Sequence, residues 1–307
     1  MHPIERGSEA AALFLFAGYT FSMRRSALIV GFTLVVLVAI TAIIWVAVLR
    51  EDRGGKLTVS FLDVGQGDAI FIESPSGRQA LIDGGPDRSV LRELGKVMSW
   101  YDRSIDAVVA THPDLDHIGG LVDVFARFRV GLIVESSVKD EEGTDAQAFE
   151  RAAAAEKTER LVAHRGDRID LGDGVVIEIL SPDRDVPHVD TNLGCLVARV
   201  VYGKTSFMLT CDAPDEIEEY LVALDREKLK SNVLKAGHHG SKTSSSPLFL
   251  GFVNPNFAVF SRGCDNRYGH PAPEVVARFK LFEIPTLDTC TDGIITFVSD
   301  GQTVKRR

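Results

Sequence analysis

The strongest constraint on this chain is an uninterrupted apolar run at residues 26–49, SALIVGFTLVVLVAITAIIWVAVL. As a helix, about 24 residues extend roughly 36 Å, enough to cross the ~30 Å hydrocarbon core of a bilayer. The run is longer than the apolar region of a cleaved signal peptide and does not end in small residues. A buried helix in a soluble core seldom stays apolar on every side for this length. We therefore predict a single-pass, uncleaved membrane anchor over residues 26–49.

Basic residues lie on both sides of this anchor. Arg24 and Arg25 directly precede it, whereas Arg50, Arg53 and Lys56 follow it among acidic residues. Because Lys and Arg nearly tie on the two sides, the positive-inside rule decides little. The adjacent arginine pair favours a cytoplasmic N-terminus, which would place the rest of the chain on the extracytoplasmic side.

The N-terminal segment 1–25 contains a second candidate start. Met23 directly precedes the two arginines, as at the natural start of an anchor segment. We hypothesise that translation begins at Met23 and that residues 1–22 are not part of the native protein. Peptide mass spectrometry of the native protein tests this, because a peptide covering residues 7–24 would exclude it.

The composition is that of a folded protein, with 307 residues, 45% of them hydrophobic, and a formal net charge of −9. This acidic balance argues against a large electrostatic footprint on nucleic acid. A nucleic-acid substrate remains compatible with it, because bound metal cations reverse the local field at a site.

The chain has four cysteines, none of them at the C-x-x-C spacing of a zinc ribbon or a thioredoxin motif. We predict that Cys195, Cys211, Cys264 and Cys290 are buried thiols of the core. A Cys195–Cys211 disulfide is the alternative, if the two strands that carry them are neighbours.

Residues 57–307 mix strand and helix patterns without repeats or long linkers, which predicts one α/β domain. Strands are predicted at 56–63, 69–73, 79–83, 105–111, 131–135, 175–180, 196–202, 206–210, 233–236, 258–260 and 294–298. Helices are predicted at 90–100, 119–128, 147–161, 216–224 and 274–282. Strand hairpins early and late in the domain predict two packed sheets with the helices outside.

The densest chemical signal is the segment THPDLDHIGG at residues 111–120. It places His112, Asp114, Asp116 and His117 directly after a buried strand, where α/β folds place their sites. Imidazole and carboxylate ligands suit zinc, manganese or iron. Two ligands per metal from one loop predict a dinuclear site. The alternative is a solvated acidic turn, but such a turn rarely collects four ligands.

Two later segments carry further candidates. In GHHGS at 237–241, either His238 or His239 could complete a metal site, and the serines at 244–246 could bind phosphate oxygens or water. A capped turn with a polar histidine pair is the alternative. Asp212, at the end of a predicted strand, could bridge two cations, but a helix N-cap ahead of Pro214 fits equally well.

In these stretches the chain resembles the metallo-β-lactamase-fold hydrolases, and more narrowly the hydrolase domain of the ComEC/Rec2 competence proteins. The matching motifs occur in family order and span nearly all of residues 57–307. They are FLDVGQGDA at 61–69, LIDGG at 81–85, the 112–120 motif, Asp212, GHHGS at 237–241 and YGHP at 268–271. The resemblance implies an α/β fold of the αββα four-layer sandwich type, with its site at one edge of the two sheets.

The resemblance also implies roles for individual residues. One metal would be bound by His112 and Asp114 and the other by Asp116 and His117, with Asp212 bridging them. His238 would be a further ligand, with His239 as the alternative. The catalytic residues would be Asp116, Asp212 and His270, with His270 contacting the substrate. Residues touching the ligands rather than the metals would be Asp83, Asp63, Asp68, Asn192 and Ser241.

The chain departs from the superfamily pattern at three places. Asp114 stands where the superfamily generally has His; the competence group shares the Asp, which tilts the site toward manganese over zinc. The superfamily's further His, between the first motif and the bridging Asp, has no clear equivalent, and only Asn192 fits the competence pattern there. Cys195 and Cys211 replace the Ser and Gly of that group beside the site.

The implied activity is hydrolysis assisted by two divalent cations, zinc or manganese, with a phosphodiester as the favoured substrate. That substrate would be DNA or a phosphodiester headgroup. Lys235, Lys242, Arg262 or Arg267 could neutralise a phosphate, although such side chains are more often surface charges.

Two other functions are compatible with the sequence. One is lactamase- or lactonase-type hydrolysis of a C–N or C–O bond, and the other is a non-catalytic, metal-binding adaptor on the membrane. Since the sequence does not contain the transport part of the competence proteins, a role in DNA uptake is not expected to transfer with the fold. The sequence indicates no protein partner.

Overall fold

The computed structural model describes residues 28–46 and 54–307. The chain separates into two compact units, Met1–Asp52 and Arg53–Arg307. The predicted N-terminal segment 1–25, the start at Met23 and both ends of the predicted anchor lie outside the described residues.

Helix α1 (Leu28–Val46) is 19 residues long, with a mean hydropathy of 2.8. The hydroxyls of Thr33 and Thr41 donate to the carbonyls of Ile29 and Leu37, at 2.9 and 2.8 Å, so the helix satisfies its own polar groups. None of its side chains is buried. By length and composition α1 is a candidate membrane span.

The second unit is built on two sheets. The first contains β1 (Leu57–Phe61), β2 (Ile70–Glu73), β3 (Gln79–Ile82), β4 (Ser104–Ala110), β5 (Arg129–Glu135), β6 (Glu159–Val162), β14 (Ile295–Ser299) and β15 (Val304–Arg306). The second contains β7 (Arg168–Asp170), β8 (Val175–Ser181), β9 (Val197–Tyr202), β10 (Thr205–Leu209), β11 (Val233–Lys235), β12 (Phe257–Phe260) and β13 (Thr286–Asp288). Their spatial orders are β15-β14-β1-β2-β3-β4-β5-β6 and β13-β12-β11-β10-β9-β8-β7.

Eight α-helices accompany these sheets in the second unit, over the described residues 54–307. They are α2 (Ser89–Val97), α3 (Leu115–Ile118), α4 (Leu121–Arg127), α5 (Thr144–Ala155), α6 (Asp215–Asp225), α7 (Pro247–Val253), α8 (Pro273–Leu281) and α9 (Thr289–Asp292). Two 3-10 turns cover Arg226–Leu229 and Gly237–Gly240.

Apolar packing divides the unit into layers. One buried cluster joins the facing sides of the two sheets, with Phe61, Phe207 and Phe297 at its centre. A second cluster packs the first sheet against α2, α4 and α5, and a third packs the second sheet against α6, α7 and α8. The predicted αββα sandwich is therefore confirmed.

Both sheets contain a parallel half, formed by β3-β4-β5-β6 and by β10-β11-β12-β13. In each half the carboxyl ends of neighbouring strands lie at the same edge. These edges carry the polar motifs, because the chain leaves each buried strand there into a loop free to present side chains.

Several predicted boundaries are wrong in an informative way. The helix predicted at 147–161 ends at Ala155, because Lys157 takes a left-handed φ of 54° and the following residues form β6 at the sheet edge. The chain does not close with the strand at 294–298, since β15 follows it as an antiparallel partner. Helix α7 was not predicted, although Ser246 caps it and Pro247 begins it.

The prediction of unpaired core thiols is also wrong. Cys195 is bonded to Cys211, the alternative left open by the sequence, and Cys264 is bonded to Cys290. The first pair lies in the core under the loop that carries Asp212. The second ties the loop after β12 to α9.

Candidate metal centre

The candidate site lies where the carboxyl ends of β4, β10 and β11 meet. The loop after β4 and the short helix α3 carry the 112–117 motif, the loop after β10 carries Asp212, and the turn after β11 carries the histidine pair. Close backbone contacts bring these loops together. A Cβ at Gly67 would lie 2.1 Å from the carbonyl oxygen of Asp116, so only glycine allows the β1–β2 loop to approach so closely.

Four potential ligands form a compact group. One atom each from Asp116, His117, Asp212 and His239 lies within 4.8 Å of all the others. Asp212 Oδ2 is 3.4 Å from His117 Nε2 and 3.3 Å from His239 Nε2, and Asp116 Oδ2 is 3.3 Å from His239 Nε2. The group thus combines two residues of the first motif with one residue from each of two later loops.

His112 and Asp114 lie directly beside this group. His112 Nε2 is 3.6 Å from Asp114 Oδ2, and the ring of His112 is 4.0 Å from that of His117, centroid to centroid. The first motif therefore presents two adjacent pairs of potential ligands.

In His117 and His239, the ring nitrogen Nδ1 contacts a protein oxygen, whereas Nε2 points into the cluster without a hydrogen bond to any residue that the structure describes. His117 Nδ1 is 2.8 Å from Asp83 Oδ2, and His239 Nδ1 donates to the carbonyl of Ser261 at 2.8 Å. Nε2 of His112, His117 and His239 is buried without a hydrogen-bond partner among the described residues. A buried polar atom without a hydrogen bond costs about 1–3 kcal/mol, so three such nitrogens beside the carboxylates of Asp114, Asp116 and Asp212 fit the binding of cations.

The charges of the cluster are strongly coupled. Burial alone would lower the pKa values of His117 and His239, but nearby carboxylates, Asp212 foremost, raise both well above the ordinary value. Burial would raise the pKa of Asp212, yet His239, His117 and Lys235 hold it well below its usual range. The acids and imidazoles of the cluster therefore stabilise each other's charged forms.

Asp83 fixes the first motif from behind. Its carboxylate accepts the backbone N–H of Thr111 and the hydroxyl of Thr111, each at 2.8 Å, and also contacts His117 Nδ1. Asp83 is 1% exposed. One buried carboxylate therefore sets both the course of the loop and the orientation of a histidine ring.

Lys235 is buried behind the cluster, so its interpretation as a surface charge or a phosphate contact is wrong. It is 1% exposed, and its Nζ lies 2.5 Å from Asp68 Oδ2 and 3.3 Å from Asp212 Oδ1. It also donates to the carbonyl of Cys211 at 2.8 Å. Because Lys235 engages Oδ1 of Asp212, the other oxygen, Oδ2, is the one that faces the histidines.

The two histidines of the GHHG turn differ in their surroundings. His239 is buried within the four-residue group, whereas His238 is at its edge with 29% of its side chain exposed and Nε2 3.4 Å from Asp212 Oδ2. Both adopt left-handed φ values, of 49° and 55°. Beyond His238 lie His270, with a ring centroid 5.8 Å away, and Tyr268, which stacks on His270.

The serines that follow this turn support the fold rather than a ligand. Ser244 donates to the carbonyl of Ala213, Ser245 Oγ accepts the N–H of Gly237, and Ser246 caps α7. Their interpretation as phosphate-binding hydroxyls is therefore wrong.

Glu218 of α6 holds the same serine loop by accepting the backbone N–H groups of Ser245 and Ser246, at 2.6 and 2.7 Å. Burial raises its pKa from 4.5 to about 7, although these two hydrogen bonds oppose the shift. A carboxyl whose pKa is raised on folding stabilises the protein below its unfolded-state pKa. That stabilisation is lost as the pH rises through the folded-state pKa.

We therefore predict that the stability advantage of the wild type over Glu218→Gln shrinks between pH 4.5 and pH 7.5, by up to about 3 kcal/mol. Urea unfolding of both proteins in EDTA, at intervals of half a pH unit, measures the difference. The other titrating groups are common to both proteins, so their contributions to the pH dependence cancel in the difference. A difference that does not change with pH would contradict the prediction.

A groove of about 690 Å³ opens beside the cluster. Asp114 and Asp116 line it on one side, and Arg267 and Tyr268 on the other. Arg267 lies over the ring of Tyr268, 5.3 Å from its centroid. The groove gives solvent and substrate access to the carboxylates of the first motif.

Comparison with known proteins decides the family. The sequence profile described as "Metallo-beta-lactamase superfamily" matches residues 62–263. The chain belongs to the metallo-β-lactamase superfamily. Within it, the chain is related to competence proteins.

Among curated superfamily relatives, ComE operon protein 3 of Bacillus subtilis (strain 168) is 32% identical over 261 residues, which cover 78% of this chain and 32% of that protein. Competence protein ComA of Neisseria gonorrhoeae is 33% identical over 245 residues, 79% of this chain and 32% of its own length. The chain thus spans about a third of the length of these relatives.

Solved structures show the same fold at much lower identity. The Zn²⁺-bound PqqB of Methylobacterium extorquens superposes with a TM-score of 0.53 at 11% identity, covering 78% of this chain and 99% of that one. This similarity concerns the fold of the metallo-β-lactamase superfamily alone.

Not every residue that the superfamily resemblance selected lies at the cluster. Asp68 lies at the cluster: it contacts Lys235, and its Oδ1 is 3.4 Å from His239 Nδ1. Asp63 has no hydrogen bond or ion pair with the cluster among the described residues, and lies instead near Arg92. Ser241 Oγ contacts Thr243, whose hydroxyl is 3.4 Å from His238 Nδ1.

Asn192 belongs to a loop that lies against the first ligand pair. Burial would raise the pKa of Asp114, but His112 foremost, and also Thr191 next to Asn192, hold it below its ordinary value. The Asn192 side-chain oxygen is buried without a hydrogen-bond partner among the described residues.

Besides the role of Lys235, sequence reasoning missed two residues beside the candidate ligands, Thr191 and Ser261. Ser261 acts through its backbone carbonyl, which no residue type reveals. Thr191 lies beside Asn192, and the polar run at 190–192 was its only signal in the sequence.

Proposed function

We propose that this chain is a membrane-anchored, dinuclear-metal phosphodiesterase. The observation that carries the proposal is the set of three buried histidine nitrogens, of His112, His117 and His239, that have no hydrogen-bond partner among the described residues and lie beside the carboxylates of Asp114, Asp116 and Asp212. Such an arrangement is costly without cations and ordinary with them.

Asp116, His117 and His239 would hold one cation, and His112 and Asp114 would hold the other. Asp212 would lie between the two, offering Oδ2. We choose His239 over His238 as the ligand because its Nδ1 is engaged, its Nε2 is free and it is buried in the cluster. When bound, paired zinc or manganese ions act as Lewis acids and lower the pKa of water.

The protein's own residues would supply orientation. Lys235 holds Asp212 with one oxygen turned toward the site, where it can accept a proton from the attacking water. His270 lies at the outer edge of the cluster with its Nδ1 buried and unpartnered among the described residues, and would contact the substrate. Asp116, lining the groove, would meet the substrate from the other side.

A phosphodiester is the favoured substrate class, either DNA or a phosphodiester headgroup. Paired cations match the negative charge that develops on both the attacking and the leaving oxygen of phosphoryl transfer. The relation to competence proteins supports the same class.

The test is turnover of bis-p-nitrophenyl phosphate by the full chain in detergent, metal-free and reloaded with manganese or zinc. Metal-dependent hydrolysis with two metals per chain is the expected result. Faster turnover of nitrocefin or a lactone would favour the lactamase-type alternative. Two bound metals without turnover of any ester would favour the non-catalytic adaptor.

We further propose that α1 crosses the membrane and that the hydrolase unit lies on the extracytoplasmic side. Disulfides persist in oxidising compartments and are rare in the cytosol. Two disulfides in the unit, together with the arginine pair ahead of the apolar run, support this orientation.

This orientation predicts that all four cysteines are oxidised in the native membrane. Denatured without reductant, the protein should take up no maleimide-PEG, and after reduction it should take up four. Proteinase K added to intact spheroplasts should digest the unit. Four reactive thiols without reductant, or protection from the protease, would refute the orientation.

A further inference from the structure

A separate cavity of about 490 Å³ lies between the first motif, the end of β5 and helix α5. Its walls are mostly apolar, with Ile118, Val138, Ala146 and Phe149 facing it. A cavity of this size is in the range of small-molecule sites. Apolar lining of this kind favours an uncharged occupant.

The cavity adjoins the groove beside the candidate metal centre. His112 and Pro113 line the cavity, and Pro113 and Asp140 also line the groove that contains Asp114 and Asp116. A phosphodiester held at the metal ligands can therefore extend one of its two substituents past Pro113 into the cavity.

The charged residues around the cavity do not suit a second phosphate. Glu135 and Glu150 are both paired with Arg160, at 2.6 and 2.9 Å, and Lys139 is 3.5 Å from Glu150. The lining contains four acids and two bases, and the carboxylates of Asp140 and Glu141 are exposed at its mouth. This arrangement disfavours a second phosphate inside the cavity and offers acceptors to hydrogen-bond donors.

We propose that this cavity binds the nucleobase next to the scissile phosphate, with a preference for bases that carry an amino group. A base has apolar faces for the walls, and the amino groups of adenine and cytosine donate to carboxylates such as those at the mouth. An acyl or alkyl chain would leave these carboxylates unused. The inference rests on the proposed phosphodiesterase function and names the substrate of that same site.

The experiment compares three substrates that share one leaving group: the p-nitrophenyl phosphates esterified with methanol, with hexanol and with the 5′ oxygen of deoxyadenosine. In the full-length, manganese-loaded wild type, kcat/KM should be about tenfold or more higher for the deoxyadenosine ester than for the methyl ester. The Ala146→Leu variant, which fills the cavity, should bring that ratio close to one. Ala154→Leu makes the same change on the exposed side of α5 and should leave the ratio as in the wild type.

A second variant tests the exposed carboxylates at the mouth of the cavity and leaves the buried residues unchanged. This test adds a fourth substrate, the matching p-nitrophenyl phosphate ester of thymidine. Glu141→Gln should lower the ratio of the deoxyadenosine to the thymidine ester several-fold, whereas Glu142→Gln, its exposed neighbour, should not. A wild-type ratio near one, a ratio that Ala146→Leu leaves unchanged, or a higher rate with the hexyl ester would overturn the nucleobase assignment. Failure of the phosphodiesterase proposal would look different, because then none of the esters would be hydrolysed.

Discussion

Replacing His239 with alanine is expected to remove one bound metal and to lower kcat/KM for a phosphodiester by about 10³-fold. A metal contributes several kcal/mol of transition-state stabilisation, and roughly 4 kcal/mol corresponds to that factor. The expectation follows from the geometry, since His239 Nε2 lies 3.3 Å from both Asp116 Oδ2 and Asp212 Oδ2 and has no other described partner.

The adjacent histidine provides the matched control. His238→Ala makes the same change one residue away, at a partly exposed ring on the edge of the cluster. It should retain two metals per chain, measured by inductively coupled plasma mass spectrometry after dialysis. If His238→Ala lost a metal and His239→Ala kept both, the ligand assignment would have to be reversed.

Replacing Lys235 with methionine is expected to destabilise the metal-free protein by about 3–5 kcal/mol, because it leaves two buried carboxylates without their cation. Asp68 and Asp212 are both nearly fully buried, and Lys235 Nζ contacts each of them. Urea unfolding in EDTA measures the loss. The exposed Lys280→Met should change stability by no more than about 0.5 kcal/mol.

The double variant Asp68→Asn/Lys235→Met separates charge from packing. Removing one acid together with the lysine should recover part of the lost stability, and a double variant less stable than Lys235→Met would argue against a charge effect. Both variants should also bind manganese more weakly by calorimetry, because Asp212 then loses the contact that turns Oδ2 toward the site. Unchanged stability in Lys235→Met would disprove the buried network.

The sequence predicted most of the architecture because the strands are strongly apolar and the motifs lie where those strands end. It also predicted that the loops after β4, β10 and β11 would matter. What these loops do to each other depends on three-dimensional packing. Nothing in the local sequence distinguishes His238 from His239, since only the turn conformation decides which ring enters the cluster.

Lys235 illustrates the same limit. A lysine at the end of a short apolar strand is normally expected to reach solvent, and only the positions of Asp68 and Asp212 make its burial tolerable. The pairing of Cys264 with Cys290 could not be predicted either, because it depends on how a loop after β12 meets a helix after β13. Short elements such as β6, β7 and β15 have too few residues for a clear periodicity.

The candidate ligands come from opposite halves of the sandwich, with the first motif on one sheet and Asp212 and His239 on the other. A cation bound by ligands from both sheets would be a removable link between the two halves of the sandwich. The free energy of unfolding would then depend on the concentration of divalent cations around the protein. It would rise by about 2.7 kcal/mol when the free ion exceeds its dissociation constant a hundredfold. Depletion of these cations would in that case lower the stability of the fold itself.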